Sequence, residues 1–257
     1  MKTILITNDD GIHSPGLCAL KEALLPLGKV ITIAPDRDNS AISHALTMNR
    51  PLFLEQLDED TFSLNGTPTD CVAVGLNKVV DRLPDLLVSG INSGPNIGDD
   101  ISYSGTVSAA IEGTIYAVPS LAVSLAGKHP FSYEVAKKIV SSLAAKTIEY
   151  GLPADTLMNI NIPHGEKIKG LRVTRQGRRI WKQAVQEITD PFGRLHYWIG
   201  GGTPLLDVGM DTDVHAIESG YISATPIHLD LTNHEGISYF KEDLQLESLP
   251  EQVDFLS

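Results

Sequence analysis

Two adjacent carboxylates follow a short apolar run near the start of the chain. Asp9 and Asp10 come after Ile4-Leu5-Ile6, within the segment Asn8-Asp9-Asp10-Gly11, which we call the acidic turn. Neighbouring carboxylates repel each other unless a cation lies between them, and oxygen ligands suit hard ions such as Mg²⁺ and Mn²⁺. The acidic turn therefore predicts a divalent cation site. The alternative is a structural role, in which Asp9 caps the next helix and Asp10 faces solvent.

The position of the acidic turn at a strand end supports the cation site. The run from Lys2 to Thr7 predicts a strand that is buried in a parallel sheet. A second strand, Val30 to Ala34, leads into the polar loop 35–40, and parallel strands would bring that loop to the same sheet edge. Ser40 and His44 would then lie within reach of the acidic turn. For His44 taken alone, a place in a surface loop is the better interpretation.

A glycine-rich segment and a helix start form a second stretch with chemical potential. A predicted strand from Asp85 to Ser89 leads into the segment 90–98, whose glycine spacing matches neither GxGxxG nor GxxxxGK[ST]. The segment Ser104-Gly105-Thr106, which we call the cradle, then opens a helix. Free backbone amides, the positive end of the helix dipole and two hydroxyls suit a phosphate group. Ser104 and Thr106 could also be ordinary helix caps, which is the commoner role for such residues, but the position of this segment at the same sheet edge as Asp9 and Ser40 favours a phosphate site.

Composition and charge exclude several classes of protein. The chain has 257 residues, of which 42% are hydrophobic and 20% charged, as is typical of a globular protein. Its formal net charge of -12 opposes attraction to a nucleic acid polymer or an anionic membrane. Cys18 and Cys71 give neither a disulfide framework nor a zinc spacing, and we expect both in apolar helical surroundings. No segment has the length of a membrane span or the pattern of a signal peptide, so we expect a cytoplasmic protein.

The order of the predicted elements indicates an α/β fold with a doubly wound, mostly parallel sheet. Strands and helices alternate as far as Pro163, with helices predicted at 14–27, 68–80, 104–115 and 133–150 and a hairpin at 46–65. We expect one domain over residues 1–257. Within it, residues 1–163 form the core that carries the site, and residues 164–257 form a projecting β-hairpin arm and a C-terminal oligomerisation region.

The pattern after Pro163 predicts antiparallel strands. They are expected at Leu171–Arg175 and on both sides of the turn 190–193, and a last strand, Tyr221–Thr225, would end at Pro226. Trp181 and Trp198 fall in this region, where they either contact another subunit or pack on the chain's own core. The basic residues of the region are Arg175, Arg178 and Arg179. They would touch an anionic substrate or pair with carboxylates of a partner.

Polar groups from three predicted strand ends and one helix start would meet at one sheet edge. The oxygen ligands of one Mg²⁺ or Mn²⁺ would come from Asp9, Asp10, Ser40 and Asn92. Asn96 would lie beside the cradle, which would hold a phosphate group. This pairing suits phosphoryl transfer to water, because a metal lowers the pKa of bound water and neutralises phosphate oxygens. Since neither a nucleophile with an oriented base nor HExxH is evident, we expect direct attack by a metal-activated water.

A series of motifs runs in order along the chain: Asn8-Asp9-Asp10-Gly11, the Ala34-Pro35 to Ser40 loop, Gly66-Thr67-Pro68-Thr69-Asp70-Cys71, Val88-Ser89-Gly90-Ile91-Asn92, Tyr103-Ser104-Gly105-Thr106-Val107 and Gly220-Tyr221-Ile222-Ser223-Ala224-Thr225-Pro226. Together they resemble the survival protein SurE family over essentially the whole chain. The resemblance implies a metal-dependent 5′-nucleotidase that hydrolyses nucleoside 5′- and 3′-monophosphates. Some members of the family also act on short polyphosphate.

The resemblance also implies roles for individual residues. The implied metal ligands are Asp9, Asp10, Ser40 and Asn92, and the implied phosphate contacts are Asn96, Ser104, Gly105 and Thr106. The expected catalytic residues are Asp9, Asp10, Asn96 and Ser104. The family further implies a homodimer or homotetramer, built by exchange of carboxyl-terminal elements.

Two other functions would use the same residues. A non-catalytic, metal-dependent sensor of nucleotides or phosphate would bind its ligand without turnover. A metal-dependent hydrolase of an amide or ester would leave the cradle without a role. A haloacid-dehalogenase-type phosphatase is disfavoured, because its paired aspartates are separated by one residue whereas Asp9 and Asp10 are adjacent.

Overall fold

A computed structural model describes residues 1–127, 130–165, 168–182, 185–200, 202–206 and 209–248. The strands in this part of the chain are, in order, β1 (Thr3–Thr7), β2 (Lys29–Pro35), β3 (Leu54–Asp58), β4 (Thr61–Leu64), β5 (Leu86–Asn92), β6 (Ser120–Ala126), β7 (Thr156–Pro163), β8 (Leu171–Val173), β9 (Arg179–Lys182), β10 (Val185–Thr189), β11 (Leu195–Ile199), β12 (Thr203–Leu206) and β13 (Ile222–His228).

The α-helices are α1 (Pro15–Leu24), α2 (Pro68–Val74), α3 (Gly105–Ile115), α4 (Glu134–Tyr150), α5 (Asp213–Glu218) and α6 (His234–Ser238). Short 3₁₀ segments lie at Leu25–Leu27, Gly98–Tyr103 and Leu246–Ser248, and π-helical turns lie at Gly75–Val79 and Tyr239–Asp243. No helix among the described residues combines the length and the apolar character that a membrane crossing requires.

The central sheet has the strand order β3-β4-β2-β1-β5-β6-β7-β13-β8. All neighbouring strands from β4 to β7 are parallel. Among the described residues, the antiparallel pairs of this sheet lie towards its two edges, where β3 pairs with β4 and β13 with β7. The predicted α/β class with a mostly parallel sheet is confirmed.

Helices cover both faces of the sheet, as the continuous apolar strands require. Leu20 of α1 and Val140 of α4 pack with Ile4 and Ile6 on one face. On the other face, α2 and α3 pack against Leu5 and its neighbours in the sheet. The doubly wound arrangement is therefore also confirmed.

The direction of strand addition reverses at β1. β2 follows β1 on one side, whereas β5, β6 and β7 lie on the other. Open α/β sheets form a crevice at such a reversal, outside the carboxyl ends of the strands. Asp9 is the second residue after β1, and Asn92 is the last residue of β5. The fold therefore places two predicted metal ligands at the crevice.

Two strands extend beyond their predicted ends. β5 continues past Ser89 to Asn92, and it can do so because residue 90 is glycine: a Cβ there would lie 2.3 Å from the backbone oxygen of Val123 in β6. β13 continues through Pro226 to His228. In the described residues β8 pairs only with the first part of β13, so Pro226 lies where its missing N–H costs no hydrogen bond on that side.

Other predicted elements are displaced or shorter. Leu171–Arg175 was predicted as an antiparallel strand, but the observed β8 ends at Val173 and runs parallel to β13. The hairpin predicted at 46–65 is confined to β3 and β4, which join the main sheet beside β2. The helix predicted at 68–80 is α2 followed by a π-helical turn. Cys71 is buried as expected, whereas Cys18 is exposed.

Strands β9 to β12 form two antiparallel pairs outside the central sheet, within one long hairpin arm. β9 pairs with β12 at its base, and β10 pairs with β11 on both sides of the predicted turn at 190–193. Every residue of β10 and β11 is exposed. The projecting β-hairpin is confirmed, whereas the oligomerisation role and the division at residue 163 stay predictions.

Candidate active site

Asp9 is the buried centre of the crevice. Only 4% of its surface is exposed. Its Oδ1 accepts a hydrogen bond of 2.5 Å from the Thr106 hydroxyl, and its backbone oxygen accepts one of 2.8 Å from the N–H of Asn39. Asp10 beside it is half-buried. The turn after β1, the loop after β2 and the start of α3 thus meet at one residue.

The cradle lies against this carboxylate. A Cβ at Gly105 would lie 2.8 Å from Cβ of Asp9 and 3.0 Å from the Ile42 side chain, so only glycine lets the helix end approach this closely. Ser104 caps α3, with its hydroxyl accepting from the N–H of Val107 at 3.1 Å. The first N–H groups of a helix lack intrahelical partners. The amides of Gly105 and Thr106 are therefore the groups of the cradle that would bind an anion.

The electrostatics of Asp9 favour a nearby cation. Burial raises the pKa of its carboxyl group from the ordinary value of 3.8 to about 6. The hydrogen bond from Thr106 opposes this shift, and the charge of Asp10 adds to it. A bound cation would reverse the balance by stabilising both carboxylates.

The remaining predicted metal ligands are Asn92, at the end of β5, and Ser40, in the loop after β2. Asn92 donates from Nδ2 to the backbone oxygen of Gly94 at 2.8 Å, so its Oδ1 is the atom that would bind a metal. Ser40 is exposed, and its hydroxyl donates to Asp38 at 2.6 Å. Its neighbour Asn39 is the residue that is hydrogen-bonded to Asp9. Because a hydroxyl oxygen has two lone pairs besides its O–H, Ser40 could bind a metal while it still donates to Asp38.

The donor set fits a hard divalent cation. Its atoms are two carboxylates, one amide oxygen and one hydroxyl, the ligand types that Mg²⁺ and Mn²⁺ favour. Among the described residues, no group of three or more histidine, cysteine, aspartate or glutamate side chains could hold a metal ion. Only two of the predicted metal ligands, Asp9 and Asp10, are acidic, so the predicted site does not require a group of three such side chains.

A buried amide network fixes Asn96. Its backbone N–H donates to Oδ1 of Asn161 at 2.8 Å, and its backbone oxygen accepts from both Asn159 and Asn161. Its side-chain Nδ2 donates to the Ser124 hydroxyl at 2.8 Å. Because an amide nitrogen carries two hydrogens, one remains for a phosphate oxygen. Asn159 and Asn161, which hold Asn96 from β7, were not predicted from the sequence.

Residues from the later part of the chain hold the rest of this loop. The buried carboxylate of Asp213 accepts from the N–H of Gly98 at 2.9 Å and from the N–H of Gly177 at 2.8 Å. A Cβ at Gly98 would lie 2.9 Å from Cβ of Arg179, so the loop and β9 lie in close contact. The role of Asp213 was also not predicted from the sequence. The only sequence signal for it is an acidic residue directly after a capping threonine, Thr212.

The predicted basic cluster pairs with carboxylates of its own chain. Arg178 and Arg179 reach Asp99 and Asp100 at 3.3 Å and 2.6 Å. Arg175 pairs with Asp211 at 2.9 Å. The sequence had offered only an anionic substrate or a partner subunit as the target of these arginines.

His44 has a partner that the sequence did not reveal. Its Nε2 lies 2.9 Å from Oε2 of Glu112, a buried acid in α3. The hydroxyl of Thr106 and the side chain of His44 therefore tie two segments of the crevice to the same helix. The sequence signal for this contact was Glu112, the single acidic residue in the otherwise uncharged sequence of α3.

Comparison with known proteins shows what this arrangement is related to. The family model described as "Survival protein SurE" matches residues 4–183, which include the acidic turn, the Asn96 loop and the cradle. The chain belongs to the SurE family. The resemblance read from the sequence motifs is thus confirmed.

Individual relatives cover nearly the whole chain. A protein of Syntrophotalea carbinolica, named 5'-nucleotidase SurE, is 52% identical over 232 residues, which are 90% of this chain and 92% of the relative. A protein of the same name from Geobacter sulfurreducens is 47% identical over 238 residues, with 91% of each chain covered. The crystal structure of the SurE protein from Aquifex aeolicus matches with a TM-score of 0.82 and 42% identity, covering 93% of this chain and 100% of that one.

The raised pKa of Asp9 predicts that Asp9→Asn stabilises the metal-free protein. The folded pKa of about 6 lies above the ordinary 3.8, so the wild type loses stability as the pH rises through this interval. One pKa unit corresponds to about 1.4 kcal/mol, so we expect the free energy of unfolding of the variant to exceed that of the wild type by up to about 3 kcal/mol at neutral pH. Urea denaturation with chelator across the acid-to-neutral range measures this. The exposed residue Asp81 provides the control variant, Asp81→Asn, and identical pH dependence in all three proteins would contradict the account.

The amide network predicts that Asn161→Leu weakens phosphate binding. Leucine matches asparagine in size but cannot accept from the N–H of Asn96, so the loop beside the cradle loses an anchor. We expect about a tenfold weaker affinity for inorganic phosphate by calorimetry, together with a stability loss of about 1–3 kcal/mol. The surface variant Asn77→Leu is the matched control. Unchanged phosphate affinity in Asn161→Leu would show that the network does not position the site.

Proposed function

We propose that this protein is a metal-dependent 5′-nucleotidase that hydrolyses nucleoside monophosphates to nucleoside and phosphate. The observation that carries the proposal is the contact between Asp9 and the cradle, because it brings a cation-binding carboxylate and an anion-binding helix end together. Membership of the SurE family and the names of the relatives from Syntrophotalea carbinolica and Geobacter sulfurreducens support nucleotidase activity.

The cradle and Asn96 would bind the phosphate group. Backbone amides of Gly105 and Thr106 donate to its oxygens, and the second amide hydrogen of Asn96 adds a further donor. The Thr106 hydroxyl is already committed to Asp9, so its role is to orient that carboxylate. We thus assign phosphate contact at residue 106 to the backbone and not to the side chain.

The acidic turn would hold the cation through Asp9 and Asp10, with Asn92 and Ser40 completing the ligand set. When bound, a divalent cation supplies charge stabilisation for the phosphate oxygens and lowers the pKa of a coordinated water. No side chain need act as a covalent nucleophile. Burial raises the pKa of the Cys71 thiol well above its ordinary value, which leaves that residue unreactive.

The finer details of the proposal follow from the family resemblance. They comprise activity on 3′-monophosphates and on short-chain polyphosphate, and assembly into a homodimer or homotetramer in the cytoplasm. The fully exposed strands β10 and β11, with Tyr197 and Trp198 on β11, offer a surface for that assembly. Aromatic residues of this kind are enriched at protein interfaces.

Phosphate release from a panel of 5′- and 3′-nucleoside monophosphates tests the activity. We expect turnover that stops on chelation, returns on addition of Mg²⁺ or Mn²⁺, and is abolished by Asp9→Asn while Asp81→Asn behaves as wild type. Binding of a nucleotide without phosphate release under any metal would instead favour the sensor. Cleavage of amides or esters with no action on phosphomonoesters would favour another hydrolase.

A further inference from the structure

The segment that carries Ser40 adopts an unfavourable backbone conformation. We call residues 39–47 the Ser40 loop, which lies between β2 and β3 and contains neither helix nor strand. Ala41 and Ser43 both have a φ of 58°, in the left-handed region that residues with a side chain rarely adopt. Such a conformation costs free energy and persists only where surrounding contacts impose it. The contacts of the Ser40 loop therefore show what determines the position of Ser40.

The first part of the Ser40 loop lies against both halves of the candidate active site. The N–H of Asn39 donates to the backbone oxygen of Asp9 at 2.8 Å. Ile42 packs on the cradle, since a Cβ at Gly105 would lie 3.0 Å from its side chain. Ser40 lies between these two contacts in the sequence. A change in the course of the loop would therefore move a predicted metal ligand relative to the acidic turn.

The last part of the Ser40 loop is held by the start of α2. The N–H and the hydroxyl of Thr47 donate to the buried carboxylate of Asp70 at 2.9 Å and 2.6 Å. The hydroxyl of Thr67 donates to the backbone oxygen of Ala45 at 2.7 Å. These contacts give the motif at residues 66–71 a second role besides capping α2. They also fix one end of the loop independently of α3.

The middle of the Ser40 loop is fastened to α3 and to the segment before it. The N–H and the hydroxyl of Ser43 donate to the backbone oxygens of Tyr103 and Ser102, at 3.0 Å and 2.8 Å. Nε2 of His44 lies 2.9 Å from Oε2 of Glu112, which is only 6% exposed. An ionised carboxylate only accepts hydrogen bonds, so Nε2 is the donor. A carboxylate buried to this degree needs such a partner, which makes the contact strongly directional.

We propose that His44 and Glu112 are positioning residues for the divalent cation, because their contact keeps the Ser40 loop in the conformation that presents Ser40 to the acidic turn. This inference rests on the proposed function, whose metal ligands include Ser40. Glu112 lies about two turns beyond Gly105 in α3, or roughly 10 Å along the helix axis. The pair therefore acts through the loop and not on the phosphate group. Without the contact, the strained loop relaxes and Ser40 loses its fixed position.

Mn²⁺ binding to the full chain without substrate tests this proposal by calorimetry. We expect His44→Ala to weaken the affinity for Mn²⁺ about tenfold, an effect typical of residues that orient metal ligands. His44→Gln should retain most of the affinity, since its side-chain amide still donates to Glu112. The matched control is His196→Ala, which removes a histidine paired with Asp190 at 3.1 Å on the projecting hairpin and should bind Mn²⁺ as wild type. Equal Mn²⁺ affinity in the wild type and His44→Ala would overturn the proposal.

Binding of inorganic phosphate to the metal-free protein separates positioning from general damage. The amides of the cradle belong to α3, so we expect His44→Ala to bind phosphate as the wild type does. Equal losses of phosphate and Mn²⁺ affinity would overturn the positioning role. If His44→Ala leaves Glu112 unpaired and fails to fold, His44→Ala/Glu112→Met removes the buried charge with little change in side-chain size. The same tenfold loss of Mn²⁺ affinity is expected in this double variant, and wild-type affinity in it would overturn the proposal.

The wild type itself distinguishes failure of this inference from failure of the proposed function. A wild-type chain that binds phosphate but no Mn²⁺ would defeat the metal-dependent function, and the positioning role with it. A wild-type chain that binds Mn²⁺ while His44→Ala binds it equally well would defeat the positioning role alone.

Discussion

The free-energy cost of burying the Asp9 carboxylate beside Asp10 constrains the whole crevice. A buried, ionised carboxylate needs compensation from hydrogen bonds or positive charge. The Thr106 hydroxyl and the start of α3 provide part of that compensation, and glycine at position 105 is what allows the helix to come close enough. The raised pKa shows that compensation within the protein is incomplete. A cation would complete it, and the same helix end would then hold a phosphate group next to that cation.

Contacts between the two halves of the sequence maintain this geometry. The loop from Asn96 to Asp100 carries a predicted phosphate ligand, yet it is held by Asn161 of β7, by Asp213 and by Arg179. Two of these three residues come after Pro163, in the part of the chain that the sequence suggested as an arm and assembly region. The later half is therefore needed to shape the site as well as to extend from it.

The parts of the fold that depend on local sequence could be predicted. The acidic turn follows an apolar strand, and Ser104 caps α3, because a few neighbouring residues determine each feature. Partners distant in sequence could not be found in this way. His44 and Glu112 are separated by 68 residues, and Gly98 and Asp213 by 115, and only the folded chain brings them together.

The predicted ends of two strands were wrong for a related reason. Glycine and proline usually indicate the end of a strand, but the neighbouring strands allow β5 to continue through Gly90 and β13 through Pro226. β6 lies close against Gly90, and the pairing of β13 with β8 ends before Pro226. The tryptophans show the same dependence on context. Trp181 is held by a hydrogen bond to Asp100, whereas Trp198 is exposed on the projecting hairpin.

The central claim is that Asp9 and Asp10 together bind one divalent cation. An anomalous difference map from crystals grown with Mn²⁺ tests it most directly, because Mn²⁺ scatters anomalously and shares the oxygen preference of Mg²⁺. The account predicts one strong peak within about 2.0–2.3 Å of carboxylate oxygens of both residues, with Asn92 in the coordination shell. A crevice without such a peak at saturating Mn²⁺, or Mn²⁺ bound only elsewhere on the chain, would contradict the account.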